Sequence, residues 1–214
     1  MKKLALITLR NDYITQRSES RDSIDTEIYN LLLEIDSIPF LIPNTPAYVD
    51  NFDLFFNPAE IKCVLLSGGN DLNSLKDKGA TNIYLKRDKI EISLINFCIK
   101  NNIPIIGICR GFQLIANYLG GSIDKVEDHI NRIHKVEFIQ PNKIIDVNSF
   151  HSFGLKQYNL PKNIKPIAYH KQDNTVECFK TERPFKSLNF MWHPERKNGA
   201  KKESIRLIKN FLNK

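Results

Sequence analysis

The segment Gly107-Ile-Cys109-Arg-Gly111 holds a thiol between two glycines, and Trp192-His193-Pro-Glu195 holds an imidazole and a carboxylate two residues apart. A cysteine nucleophile needs a base within hydrogen-bond reach, and that base needs a third group to orient it. Cys109, His193 and Glu195 can fill those roles in the chain order Cys, His, Glu. Pro194 pushes His193 toward an extended backbone. Residues two apart on an extended chain face the same side, so His193 and Glu195 can look into one pocket. By itself a His-Pro-Glu triplet reads as a solvated turn and a lone cysteine as core. The two segments together favour chemistry.

The elements that must position these groups are legible around them. Ile103 to Ile108 is a short β-branched run of the kind that forms a buried strand. After Gly111, Phe112, Leu114, Ile115 and Leu119 follow helical spacing until Gly120-Gly121 stops the helix. Cys109 thus falls on a strand-to-helix turn, a nucleophile elbow with sulfur in place of the usual serine oxygen. Side chains at its glycine positions would collide with the strand or the helix. A helix N-terminus, with its unpaired N–H groups and dipole, favours an anionic sulfur. A third segment, Ile61-Lys-Cys63-Val-Leu-Leu66-Ser-Gly68-Gly69-Asn-Asp71, runs from an apolar strand into a Gly-Gly turn that lets backbone approach a ligand. Attack on an amide carbonyl creates an oxyanion, for which the amides of Gly69 and Arg110 are the natural donors.

These segments resemble the class I glutamine amidotransferase family, and within it the γ-glutamyl hydrolase-type branch. The resemblance rests on Leu66-Ser-Gly-Gly-Asn-Asp71, Arg87-Asp-Lys-Ile-Glu91, Gly107 to Gln113, Val147-Asn-Ser-Phe-His151 and Trp192 to Glu195, and so spans nearly the whole chain. It departs at Phe153 and Met191, where relatives often carry Gln; both bear on substrate detail. The resemblance implies an α/β fold, a single domain over residues 1–214 with a mostly parallel central sheet and helices on both faces. It implies hydrolysis of a γ-glutamyl amide of a small molecule through a thioester, releasing L-glutamate, with neither metal nor organic cofactor. It also implies that Gly68, Gln113, Asn148, Ser149 and Phe150 help bind the glutamyl end and that His151 lines its pocket. Leaving amines handled in this branch include γ-aminobutyrate and, in capsule phosphoramidate biosynthesis, a CDP-amidate. Two alternatives stay open: a glutaminase subunit feeding ammonia to a separate synthase, and a catalytically silent binding domain on the same fold.

Composition fits this frame. A chain of 214 residues suits one α/β domain with ample core. The apolar run Leu4 to Leu9 is too short for a signal peptide and reads as the first strand; no run approaches a membrane span. The four cysteines show no disulfide or zinc spacing, so Cys63, Cys98 and Cys178 are expected in the core of a reduced, cytoplasmic enzyme. The net charge of +7 comes without a nucleic-acid-binding module. Arg10, Arg21 and Arg87 fall near the expected catalytic edge. They could hold an anionic, nucleotide-linked substrate, or be structural, with Asp22 and Asp88 adjoining the last two. A homodimer is a further open partner. His129 and His134 lack a carboxylate or thiol partner for a metal, and His170 is expected at the surface. The periodicity predicts strands near 3–9, 38–42, 62–67, 103–108, 121–125, 133–138, 144–147, 165–169, 176–180 and 187–192. It predicts helices near 20–36, 84–101, 110–119 and 199–213, with loop-rich stretches over 118–148 and 153–165.

Overall fold

The computed structural model describes residues 2–213. In chain order it runs β1 (Lys3–Thr8), β2 (Arg10–Ile14), β3 (Glu19–Ser23), α1 (Glu27–Glu34), β4 (Ser37–Ile42), α2 (Phe52–Phe55), β5 (Ile61–Leu66), α3 (Leu85–Asn101) and β6 (Ile105–Ile108). It continues through α4 (Arg110–Tyr118), β7 (Ile123–Lys125), β8 (Ile130–Phe138), β9 (Lys143–Phe150), β10 (Phe153–Lys156), β11 (Lys165–His170), β12 (Thr175–Thr181), β13 (Ser187–Phe190) and α5 (Lys201–Leu212).

One twisted sheet organises these elements, in the order β4-β1-β5-β6-β13-β12-β11-β8-β9, with β10 and β7 attached to β12. The first five strands pair in parallel. The β13-β12, β12-β11, β11-β8 and β8-β9 pairs are antiparallel. The parallel strands are apolar on both faces because helices cover both. In β5, Val64 and Leu66 join the cluster built with Leu94 and Cys98 of α3 and Phe112 and Ile115 of α4. Cys63 and Leu65 point the other way, to Ile28, Leu31 and Leu32 of α1 and Ile208 of α5. This period-two alternation makes one strand the floor of two cores. Cys63, Cys98 and Cys178 are buried, as expected of core thiols.

The largest departure from the sequence reading lies in residues 20–36. Helix α1 begins only at Glu27; residues 19–23 form β3, which pairs antiparallel with β2. The apolar stripe that suggested the helix is confined to its second half, where Ile28, Leu31, Leu32 and Ile35 are buried. The Ser-Glu-Ser-Arg-Asp-Ser stretch before it is poor in strong helix formers. Its side chains stitch the hairpin instead: Asn11 Nδ2 donates to Ser20 Oγ at 2.7 Å, and Ser23 Oγ donates to Asp12. A second difference is β10, unforeseen within 153–165, which bridges β7 and β12; β8 and β9 extend the sheet where strands near 133–138 and 144–147 were expected.

Since β5, β6 and β13 are parallel neighbours, their carboxyl ends reach the same edge. The chain leaves them as Ser67-Gly68-Gly69, Cys109 and Met191-Trp192-His193, so residues far apart in sequence meet there.

Candidate active site

The elbow at Cys109 has the backbone that its glycines imply. Cys109 adopts φ 50°, ψ −98°, a conformation costly for a residue with a side chain. Its amide donates to the Phe190 carbonyl at 2.8 Å, which ties the strained turn to β13. A Cβ on Gly111 would lie 2.2 Å from the Leu66 carbonyl oxygen, and one on Gly107 2.5 Å from Asn189 Oδ1. The two glycines allow α4 to pack directly on the strand ends.

Cys109 is 8% exposed, His193 4% and Glu195 3%. His193 Nδ1 lies 2.7 Å from Glu195 Oε1, so Nδ1–H donates to the carboxylate and Nε2 is left for the sulfur. Burial opposes a charge on the imidazole. Its hydrogen bonds to Cys109 and Glu195, and their negative charge, outweigh burial and raise its pKa to about 9. His193 is therefore cationic at neutral pH. The three groups converge as their spacing implied, and the third segment meets them there. A Cβ on Gly68 would lie 2.8 Å from His193 Cε1 and 3.6 Å from both His193 Nε2 and Cys109 Cβ.

The amides expected to hold an oxyanion are available. The Gly69 N–H has no acceptor among the described residues. Arg110 opens α4, where N–H groups have no intrahelical partner. Gly69 is fixed by Arg87: Nη1 donates to the Gly68 carbonyl at 3.0 Å and the Gly69 carbonyl at 2.5 Å, and Nη2 to the Ser67 carbonyl at 2.6 Å. A trans peptide sets its N–H opposite its C=O. Holding the Gly68 carbonyl against Arg87 thus turns the Gly69 N–H to the other side.

This corrects the reading of Arg87 as a substrate contact. Its side chain is fully buried, and Nε is spent on Glu91 at 2.9 Å. Arg110, the residue after Cys109, sends its guanidinium to Glu91 and Asp88 in the same network. Burial lowers the Arg87 pKa to about 10, against the opposing charge of Glu91. Glu91 is held below the carboxylate norm because the Arg110 and Arg87 charges overcome its own burial. Arg21 also differs from expectation: it is exposed on β3, pairs with Glu19 at 2.8 Å, and lines no part of the cleft. Only Arg10 of the three reaches the site, bonded to Asp12 at 2.8 Å and packed over Gly69.

The cleft has two lobes that share Arg10, Gly69, His193 and Arg196. One, of about 260 Å³, holds Cys109, Gln113, Phe150 and His151. The other, of about 280 Å³, holds Asp12, Ser23, Asp25, Gly68 and Glu195. Asn148 and Ser149, expected to touch substrate, are buried outside both lobes. Asn148 Oδ1 accepts the His193 N–H at 2.8 Å, and its Nδ2 donates to the His193 carbonyl at 3.0 Å, so it clamps the histidine backbone. Ser149 Oγ donates to the His129 carbonyl at 2.5 Å. Phe150 is 41% exposed and turns its ring edge-on to His193, 5.6 Å between centroids, while Arg196 stacks on it. Sequence reading passed over Arg196; its position next to Glu195 was the available signal. His170 is buried, not at the surface, and its Nδ1 lies 2.8 Å from Asp173 Oδ1.

The Peptidase C26 family profile matches residues 7–195. The chain belongs to that family, which is of class I glutamine amidotransferase type. It is 38% identical over 152 residues to a γ-glutamyl-CDP-amidate hydrolase of Campylobacter jejuni, covering 71% of this chain and 70% of that one. It is 35% identical over 127 residues to a carbamoyl phosphate synthase small chain of Wigglesworthia glossinidia brevipalpis, covering 58% of this chain but only 33% of that one. A glutamine amidotransferase from Thermotoga maritima shares the fold at TM-score 0.63 and 19% identity, over 100% of this chain and 85% of that one. No helix among the described residues is long and apolar enough to cross a membrane.

Two variants separate the roles of the loop. Gly68→Ala pushes a methyl into the imidazole and should lower turnover by roughly a hundredfold, the scale of an ångström's misplacement at a reacting centre, with the melting temperature nearly unchanged. Arg87→Met leaves Glu91 with Arg110 alone, strips three buried carbonyls of their donor and should cost about 3–5 kcal/mol of stability, read by urea denaturation. A surface-like cost below about 0.5 kcal/mol would contradict the structural role.

Proposed function

We propose that this chain hydrolyses γ-glutamyl amides of small molecules through a Cys109 thioester. The observation that carries this reading is the convergence of Cys109, His193 and Glu195 with the two free amides of Gly69 and Arg110. The Cys109 sulfur, its proton held by His193, attacks the γ-carbonyl. The Gly69 and Arg110 amides stabilise the resulting oxyanion. His193 then gives its proton to the leaving amine, and water, deprotonated by the same imidazole, opens the thioester and releases glutamate. Glu195 keeps the imidazole oriented throughout.

The Cys109 lobe suits the glutamyl end. Gln113 and His151 supply polar edges there, and Phe150 covers the histidine. The other lobe would take the leaving amine. Arg10 and Arg196 flank the passage between the lobes, and guanidinium groups suit a phosphate-bearing amine such as the CDP-amidate of the Campylobacter relative. Asp12 and Asp25 neutralise part of that charge, through contacts of 2.8 Å to Arg10 and 2.7 Å to Arg196. A phosphate would therefore compete with these carboxylates for the arginines. The likeness to a carbamoyl phosphate synthase small chain supports a second reading, an ammonia-supplying glutaminase.

Glutamate release from glutamine, γ-glutamyl-γ-aminobutyrate and γ-glutamyl-CDP-amidate, beside a Cys109→Ala control, decides between them. Preference for one conjugate over glutamine, abolished in Cys109→Ala, is the expected outcome. Activity on glutamine that appears only with an added synthase would favour the second reading, and turnover surviving Cys109→Ala would remove the thioester. The pH profile tests His193 directly. As pH rises through about 9 the imidazolium loses the proton that it must hand to the amine, so kcat/KM should fall there. Glu195→Gln removes the carboxylate that holds that proton, so the alkaline limb should move to lower pH. A limb that stays in place would exclude His193 as the acid.

A further inference from the structure

Away from Cys109, four of the five histidines gather in the antiparallel half of the sheet. His129, His134, His151 and His170 are all buried, with ring centroids of the His129–His134, His129–His151 and His129–His170 pairs 5.0, 4.6 and 4.6 Å apart. The carboxylate that the sequence seemed to lack is Glu177 on β12, fully buried among them. Its neighbours Val176 and Cys178 read simply as a core strand, so nothing local marked it.

The hydrogen bonds around the cluster fix which ring nitrogens carry protons. His151 Nδ1 lies 3.0 Å from the Phe153 carbonyl, which can only accept, so Nδ1 bears the proton. In the neutral ring Nε2 is then a bare lone pair, and it faces Glu177 Oε1 at 3.5 Å. His129 Nε2 faces the Asp173 carboxylate at 3.3 Å and bears its proton there. His129 Nδ1 is then bare and faces the same Glu177 oxygen at 3.6 Å. His134 Nε2 lies 3.3 Å from Glu177 Oε2. His129 Nδ1, His134 Nε2, His151 Nε2 and both Glu177 oxygens are buried and without hydrogen-bond partners.

Bare acceptors pointed at one another repel unless a cation, a proton or a metal ion, lies between them. We infer that His129, His151 and Glu177, whose donor atoms lie within 4.8 Å of one another, form a binding site for a divalent transition-metal ion of the zinc class, with His134 against the second Glu177 oxygen, separate from the Cys109 site. Donors about 2.0–2.1 Å from a tetrahedral ion stand about 3.3–3.4 Å from one another, and Glu177 Oε1 lies 3.6 Å from His129 Nδ1 and 3.5 Å from His151 Nε2. Two imidazoles and a carboxylate supply three protein ligands and leave a fourth position for water. The outer contacts agree: ligating histidines pass their other N–H to a carboxylate or a carbonyl, as His129 does to Asp173 and His151 to Phe153. Such an ion would join β8, the turn after β9, and β12. The Phe153 carbonyl also accepts from Gln113 Nε2 at 3.0 Å, so the ion would brace the wall of the Cys109 lobe.

The test uses the full chain as Cys109→Ala, which removes the exposed-edge thiol as a competing ligand. After growth with added zinc and dialysis against metal-free buffer, elemental analysis should find one zinc per chain. Added EDTA should lower the melting temperature and zinc restore it. With cobalt in place of zinc, the visible bands of a tetrahedral ion should appear without a thiolate charge-transfer band. Glu177→Gln, shown by circular dichroism to be folded, should lose those bands. The inference is overturned if Cys109→Ala retains no zinc above the dialysis buffer and its melting temperature does not respond to the metal. It is equally overturned if zinc is bound only when Cys109 is present, or if folded Glu177→Gln keeps an unchanged cobalt spectrum.

Discussion

The buried network of Arg87, Glu91, Arg110 and Asp88 is the constraint on which the site depends. It joins α3 to the first turn of α4 and to the loop after β5, the two backbone segments whose amides the proposed reaction uses. A guanidinium carries its donors in a rigid fork, so one Arg87 side chain can hold three successive carbonyls in fixed directions. Lysine has neither the plane nor the number of fixed donors. Ion pairs this deep gain little net stability, because desolvation offsets most of their attraction. What they provide here is geometry: with the Gly68 carbonyl held on Arg87, the Gly69 amide is turned away from that side chain.

The same logic accounts for the strained turn at Cys109. A positive φ at a residue with a side chain costs of order 1–3 kcal/mol, and the surroundings must over-determine it. Here the Cys109 amide is bonded to β13, the helix that follows is packed through Gly111 onto β5, and the Arg110 side chain is anchored in the buried network. The histidine is treated similarly. Asn148 occupies both polar groups of the His193 backbone, and Glu195 occupies one ring nitrogen. Cys109 is restrained at the main chain, and His193 at the main chain and the ring, so the proposed reaction would need little reorganisation of either.

The sheet divides the work. Its parallel half supplies three strand ends that bring Ser67 to Gly69, Cys109 and His193 to one edge. Its antiparallel half supplies the wall, through Phe150, His151 and Phe153, and encloses the histidine cluster behind it. The β2-β3 hairpin closes the remaining side and contributes Arg10, Asp12 and Ser23. In the lobe lined by this hairpin, Arg10, Asp12, Ser23 and Asp25 lie outside the motif segments and face Gly68, His193 and Glu195 within them.

The sequence by itself determined the elbow, the His-Pro-Glu strand end and the Gly-Gly loop. Each is a short contiguous segment whose chemistry and backbone demands are carried by adjacent residues. It also determined the parallel core, because strands buried on both faces announce themselves as apolar runs. The roles of Arg87, Asn148 and Ser149 were decided only by tertiary structure. An arginine beside Asp88 looks like a surface pair or a ligand for an anion; only the approach of Ser67, Gly68 and Gly69 shows that its partners are carbonyls. An asparagine near a catalytic segment looks like a substrate contact until His193 folds against it. The hairpin over residues 10–23 was hidden because its pairing is carried by polar side chains across strands, which hydrophobic periodicity does not register. Glu177 was hidden for the opposite reason: one charge in an apolar strand acquires meaning only from the three imidazoles that the fold sets around it.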